Sequence, residues 1–169
     1  EIAQCLVGSE MCIRDSTNVK GYAADVRSEK SIAKAVAKLT YAFANANVPK
    51  VNVITGEAYG SAYVTMNSKA LGADVTYAWP DASIGMMDAN EAAKIMYADD
   101  IAKSADVQSV ISEKAAEYAA LQSGVESAAA RGYVDTIINP EDTRKYVAAA
   151  FEMLYTKRED RPDKKHGTV

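Results

Sequence analysis

The chain has 169 residues, 49% of them hydrophobic and 25% charged, with a formal net charge of −4. That composition describes one ordinary globular domain, and so mild a charge without a dense Lys/Arg stripe argues against nucleic acid as a partner. No apolar run approaches the roughly 18 residues that a bilayer span needs, so neither an anchor nor a span is indicated.

The first residues stand apart. CLVGSEMCIRDS, Cys5–Ser16, has no amphipathic period and resembles no targeting signal. Back-translated, it spells in a single frame a transposase adapter of the kind used to build DNA libraries. Residues 1–16 are therefore read as an artefact leader and set aside. Both cysteines, Cys5 and Cys12, fall within it. The remainder has none, which excludes disulfides, thiolate metal sites and a cysteine nucleophile there. The native domain is expected over residues 17–169, truncated at its N-terminus.

From Ser31 to Ala46, apolar Ile32, Val36, Leu39, Phe43 and Ala46 recur at steps of four and three, the period of an amphipathic helix. VNVI, Val51–Ile54, is a β-branched run that suits a buried strand. Gly56 and Gly60 punctuate a turn, and a helix is expected to start near Gly60–Ser61 with Ala62, Met66 and Ala70 on one face. Gly72 is placed to end it. VTYAW, Val75–Trp79, is a second strand closed by Pro80. Strand, helix, strand in so short a span predicts a parallel βαβ unit.

Asp88 with Glu91 three residues on resembles a capping box opening a helix through Ala92–Tyr97. Asp106 caps another, with Val107, Val110, Ile111, Ala115, Tyr118 and Leu121 as its inner face and Gly124 as its end. Gly132–Ile138 reads as a strand or extended edge. Asn139-Pro140-Glu141-Asp142 starts a last helix, with acids against its positive end. Its buried face is either Tyr146, Ala150 and Met153 or Val147, Phe151 and Leu154. Arg161–Val169 is a polar tail.

The corner at Gly60 carries the chemistry. First-turn N–H groups of a helix have no intrahelical acceptor and point outward. Gly60, Ser61 and Ala62 keep bulky atoms away from them, so the corner can hold an oxygen that becomes negative during a reaction. The same pattern also serves a tight strand-to-helix turn whose small residues only permit close packing. It lacks the spacing of a Walker loop or a dinucleotide fingerprint.

Three separated stretches then carry a family resemblance: AKLTYAFANANVPKVNVITGEAYGSAYVTMNSKALGADVTYAWPDASIGMM, AAARGYVDTIINPEDTRKYVAAAFEML, and the closing KREDRPDKKHG. Residues from about 38 to 169 resemble the C-terminal half of the carboxyltransferase subunit of biotin-dependent acyl-CoA carboxylases and decarboxylases. The resemblance implies an α/β fold of the crotonase-like (ClpP/crotonase) ββα superhelix type. It implies carboxyl transfer between carboxybiotin, borne by a separate carrier protein, and a short acyl-CoA such as propionyl-CoA or methylmalonyl-CoA.

By the same resemblance, the amides of Ser61 and Ala62 face the ureido oxygen of biotin as an oxyanion hole. Gly60, Tyr63, Val64 and Met86 line the substrate and biotin pocket. No metal is implied. The partners implied are the acyl-CoA, a biotin carboxyl carrier protein and the N-terminal half of a partner subunit in a homo-oligomer. The expected place is the cytoplasm, or the periphery of a membrane decarboxylase complex, and this piece alone is expected to be inactive. Two departures from the family pattern stand out. Ser61 replaces a glycine, which would strain it if that position has positive φ. MMDANEAAKIM, from Met86 on, replaces a Met-Gly-Ala-Glu-Gly-Ala pattern.

Two other functions share the ground. One is decarboxylation of methylmalonyl-CoA or a related acyl-CoA onto biotin in a sodium-pump complex. The other is a crotonase-type enoyl-CoA hydratase or isomerase, which needs carboxylates near the loop, and Asp81, Asp88 and Glu91 offer them. Other residues are weighed as bland. Glu57, Asp99-Asp100 and Lys164-Lys165 read as solvated surface, Tyr77 and Trp79 as core, Arg131 as a surface pair or a carboxylate partner, and His166 as part of the tail.

Overall fold

The computed structural model describes residues 12–160. His166, Lys164-Lys165 and the rest of the tail from Arg161 lie outside the described residues, as does Cys5. The elements are β1 (Ile13–Val19), α1 (Val26–Asn45), β2 (Lys50–Tyr59), α2 (Gly60–Val64), β3 (Val75–Ala78), β4 (Ser83–Gly85), α3 (Ala89–Met96), α4 (Ala98–Lys103), α5 (Val107–Tyr118), α6 (Val125–Ala130), β5 (Thr136–Ile137) and α7 (Thr143–Met153). Single turns of 3₁₀ helix occupy Lys69–Leu71 and Pro140–Asp142, and a π-helical turn covers Ala119–Ser123.

The strands form one parallel sheet in the order β1-β2-β3-β5. β3 pairs with the first half of β2, from Val51↔Val75 to Ile54↔Ala78, and β4 takes over beside its second half at Glu57↔Ser83 through Tyr59↔Gly85. Every strand therefore ends toward one rim, where β2 turns into α2. Side chains alternate across β2. Val51 and Val53 pack with Val75, Tyr77, Ile138, Val147 and Ala150 on one face. Ile54 and Ala58 pack with Tyr63, Ala78, Ile84, Val125, Ala128 and Val134 on the other. Each fully buried Val or Ile contributes about 1.5–3 kcal/mol, so both faces of β2 anchor the site above it.

Several elements differ from the sequence expectation. The first helix starts at Val26, where Asp25 accepts from the Arg27 and Ser28 amides. The loop expected at Gly56 is strand, because Glu57–Tyr59 find β4 as a ladder partner. α2 stops at Val64 instead of running to Ala70. There Thr65 Oγ1 donates to the Ala62 carbonyl and Ser68 Oγ to that of Val64, a local competition that unwinds helices. Gly72 does end this region, at φ 102°. The inner face of α5 narrows to Ile111 and Ala115, with Val107 and Leu121 exposed. α7 buries the Val147 face and leaves Met153 exposed.

At the far rim Lys157 ties the last described turn to the sheet. Its Nζ lies 2.9 Å from both oxygens of Asp74, whose Oδ2 also accepts from the Lys50 amide at 2.7 Å. Both side chains are largely buried, which favours such a pair over an exposed one only because its geometry and hydrogen bonds are good.

β1 begins at Ile13 and so reaches into the adapter-like stretch, with Ile13 buried opposite Lys50. The fit there is uneven. Among the described residues, one oxygen of Asp15 is buried without a hydrogen-bond partner, as are both polar side-chain atoms of Asn67. Burial raises the Asp15 carboxyl above its ordinary 3.8, and nearby Asn67 and Arg14 only partly offset this. The folded state thus holds a proton that the unfolded chain has lost, and stability falls as pH rises through this window. Asp15→Asn is expected to melt higher than the parent at pH 7, with the gap closing as pH falls toward 3.8. Thermal melts across that range test it, and a gap independent of pH would contradict the burial argument.

Candidate active site

The strands run parallel, so the crevice at their carboxyl ends is where an open α/β sheet presents a site. Here the rim is the junction of β2 and α2. Gly60 sits at φ +61°, and a Cβ placed on it would lie 3.0 Å from the Met86 carbonyl oxygen. Glycine is required on both counts: the left-handed backbone and the close approach of another main chain. The next residue is helical in character. Ser61 is absent from the positive-φ residues, so replacing a glycine by Ser61 introduces no backbone strain at this corner.

Tyr59 occupies the N-cap of α2 in an extended conformation and offers no side-chain cap. The described backbone bonds of this turn run from the Thr65 amide to the Ser61 carbonyl and from the Met66 amide to the Tyr63 carbonyl. Ser61 and Ala62 are the second and third residues of this short helix, positions whose amides have no intrahelical i−4 acceptor. Ser61 is exposed, while the Ala62 side chain is buried, so Ala62 fixes the turn from below while Ser61 faces outward.

A cleft of about 310 Å³ opens beside this corner. Gly60, Tyr63, Val64 and Met86 form one wall, so the structure brings together the four residues singled out as pocket lining. The opposite wall comes from far along the chain: Tyr118 and Gln122 at the end of α5, and Ala128, Arg131 and Tyr133 around α6. Gln122 belongs to the π-helical turn, a distortion that often marks functional positions. Of these, local sequence pattern points only to Arg131 and gives no sign of Gln122 or Tyr133. A signal for them would have had to come from contacts some sixty residues apart, which no local pattern carries.

The cleft is mostly apolar, and no Asp or Glu among the described residues lines it. Tyr63 is 7% exposed and its hydroxyl has no hydrogen-bond partner among the described residues. Burial, with a smaller effect from Tyr133, pushes that phenol up to about 12, so it remains a proton donor at any physiological pH. The carboxylates weighed for acid–base work are elsewhere. Asp88 caps α3, Glu91 pairs with Lys94, and Glu57 pairs with Lys20 at 3.0 Å. Asp81 is exposed in a turn outside the cleft wall. Tyr77 and Trp79 are structural. Tyr77 meets Tyr146 edge to face and Trp79 Nε1 donates to Thr143 at 3.0 Å. Among the described residues no cluster of His, Cys, Asp and Glu could hold a metal, and no helix is long and apolar enough to cross a membrane.

A second cleft, about 540 Å³, lies at the opposite rim among Asn47, Pro49, Phe151 and Tyr155. It is larger, but it faces the strands' amino ends and contains no oriented amides at a helix start.

A parallel sheet covered by short helices, with a backbone-donor corner at its carboxyl rim, is the crotonase-like α/β fold of carboxyltransferase subunits, here in part. The chain belongs to the carboxyl transferase domain family, which it matches over residues 16–169. It is 48% identical over 153 residues to a Bacillus subtilis protein provisionally named propionyl-CoA carboxylase beta chain, covering 90% of this chain and 30% of that protein. It is 45% identical over 133 residues to the methylmalonyl-CoA decarboxylase subunit alpha of Propionigenium modestum, covering 79% of this chain and 26% of that protein. The transcarboxylase 12S crystal structure with bound methylmalonyl-coenzyme A superposes with a TM-score of 0.87 at 41% identity, over 92% of this chain and 30% of that one. The chain thus spans less than a third of these relatives.

Proposed function

We propose that the protein to which this chain belongs transfers a carboxyl group between biotin on a separate carrier protein and a short-chain acyl-CoA, propionyl-CoA or methylmalonyl-CoA. This chain supplies the biotin-side half of the site. Residues 17–169 are its native part. The ladder of Ile13–Ser16 is made by main-chain groups that any non-proline sequence offers, so a foreign leader can occupy β1 there. The names of the relatives supply the substrate class.

The single observation that carries the reading is the corner at Gly60. It has two first-turn amides at positions without an intrahelical acceptor, beside a cleft that no carboxylate lines among the described residues. The residues fit a bicyclic ring bearing one polar oxygen: apolar walls at Val64 and Met86, and donors at Ser61 and Ala62. Biotin, when delivered, supplies the carboxyl group and the base that takes the substrate's α-proton. The Ser61 and Ala62 amides then hold negative charge on an oxygen, the most effective contribution a preorganised backbone makes. Gly60 sets their direction, and Val64 and Met86 keep water from the reacting groups. A partner subunit's N-terminal half completes the site in a cytoplasmic homo-oligomer.

Decarboxylation onto biotin in a sodium-pump complex is the second reading, favoured by the Propionigenium relative. A hydratase or isomerase is disfavoured, since Asp81, Asp88 and Glu91, the acids it would use, are not among the residues lining the cleft. The full-length subunit, mixed with a biotinylated carrier, is expected to exchange carboxyl groups with methylmalonyl-CoA and to lose this activity when avidin sequesters the biotin. It is expected not to hydrate enoyl-CoA. Hydration without biotin-dependent exchange would overturn the assignment.

A further inference from the structure

β2 changes partner partway along, and the change falls on a bulge. Between the register pairs Thr17↔Ile54 and Val19↔Ala58, β1 has Asn18 alone where β2 has Thr55, Gly56 and Glu57. Up to Ile54 β2 pairs with β3, and from Glu57 it pairs with β4. Both sides of the bulge are tied to β1. Thr55 Oγ1 donates to the Thr17 carbonyl at 3.3 Å, and the Glu57 amide donates to Asn18 Oδ1 at 3.0 Å. Gly56 leaves room for this contact, since a Cβ there would lie 2.7 Å from the same Asn18 oxygen. We propose that Asn18 is a positioning residue for carboxyl transfer: its side-chain oxygen holds the bent end of β2 and so sets the direction of the Ser61 and Ala62 amides.

The path from the bulge to the amides is short. Glu57–Tyr59 is ladder beside β4, and Ala58 and Tyr59 are buried. Gly60 follows at once, with its main chain against the carbonyl of Met86, the residue after β4. A tilt at Glu57 therefore reaches the first turn of α2 with no loop between them to absorb it. Bulges commonly re-aim residues beside active sites, and a misplacement of about 1 Å can cost on the order of a hundredfold in rate. Asn18 is exposed, so its bond adds little net stability, and what it supplies is direction. The neighbouring ion pair does not share this role. Lys20 Nζ lies 3.0 Å from the Glu57 carboxylate, but the Lys20 side chain is 78% exposed and the contact holds a side chain rather than the main chain.

This rests on the carboxyl-transfer reading, and the test uses the full-length subunit. Asn18→Ala is expected to lower kcat about tenfold with KM for the acyl-CoA near the parent's, the pattern of an interaction lost in the transition state. It is expected to melt near the parent, because the lost bond is open to water. Asn18→Asp keeps an acceptor oxygen in the same place and is expected to recover most of the rate. Gly56 is not among the positive-φ residues, so Gly56→Ala is tolerated by the backbone. Its Cβ pushes the flexible Asn18 carboxamide aside and is expected to reproduce the loss. In the Ala62→Pro background, Asn18→Ala is expected to cost less than it does in the parent, because one of the donors it directs is already gone. A merely structural role would instead lower the melting temperature and multiply the two losses. A parent-like kcat in Asn18→Ala, a fall in melting temperature that accounts for the lost rate, or losses that multiply with Ala62→Pro overturns the proposal. A parent protein that shows no biotin-dependent exchange instead overturns the reading beneath it.

Discussion

In the full-length subunit, Ala62→Pro is expected to lower the rate of carboxyl transfer by about a hundredfold or more, the typical cost of losing one oxyanion donor. Ala62 is the third residue of α2, where an amide has no intrahelical i−4 acceptor. Proline is tolerated in a first helical turn because the N–H it lacks has no intrahelical partner there. The substitution therefore removes a donor without breaking a helix bond. It has two side effects: the ring adds carbons at a position only 3% exposed, and Ser61, as the residue before proline, is pushed away from helical backbone angles. Ala62→Gly separates donor loss from a disturbed turn, because it keeps the amide and loosens the turn. Ser61→Ala is expected to leave the rate near that of the parent, because the donor is main-chain and not the hydroxyl. Stopped-flow or coupled assays of transfer, with circular dichroism to check folding, decide the matter. A parent-like rate in folded Ala62→Pro would remove the amide corner from the mechanism.

Gly60→Ala is expected to cost stability and activity at once. The left-handed backbone at φ +61° penalises a Cβ by about 1–2 kcal/mol. The added atom also meets the Met86 carbonyl at 3.0 Å, a main-chain group that cannot swing aside as a side chain would. Relief requires α2 or the β4 end to move, and either movement turns the Ser61 and Ala62 amides. Denaturant unfolding should show a loss of about 2 kcal/mol, and transfer should fall further than the small unfolded fraction explains. Gly60→Asn should recover part of the backbone penalty, since Asn tolerates this region better, but not the steric one. If Gly60→Ala unfolds at the parent's midpoint, the close approach to Met86 is not a constraint in solution.

How much of this was legible in the residues varies with how local the cause is. The Gly60 corner could be read because glycine, small residues and a strand-to-helix change fall within a few positions. Gly72 could be read for the same reason, and its left-handed φ agrees. α2 was overextended because Ala62, Met66 and Ala70 keep a helical spacing while Thr65 and Ser68 redirect the main chain through their hydroxyls. The second half of β2 reads locally as a loop because Gly56 and Glu57 have poor strand propensity. The ladder with β4 overrides that preference, as tertiary pairing commonly does. The wall formed by Gln122, Arg131 and Tyr133 could not be read locally at all. The family resemblance pointed to Tyr63, Val64 and Met86, which shows that motif knowledge reached one side of the cleft and three-dimensional packing was needed for the other.

The parallel arrangement of the strands also separates two kinds of risk in altering this protein. Changes at the end anchored by Lys157 and Asp74 act on folding and lie a full strand length from the donor corner. Affinity handles, surface immobilisation or stabilising replacements belong at that end. At the opposite end even one extra methyl group is expected to turn the Ser61 and Ala62 amides, so engineering for new acyl groups should begin with exposed Val64 and Met86 and leave the glycine untouched.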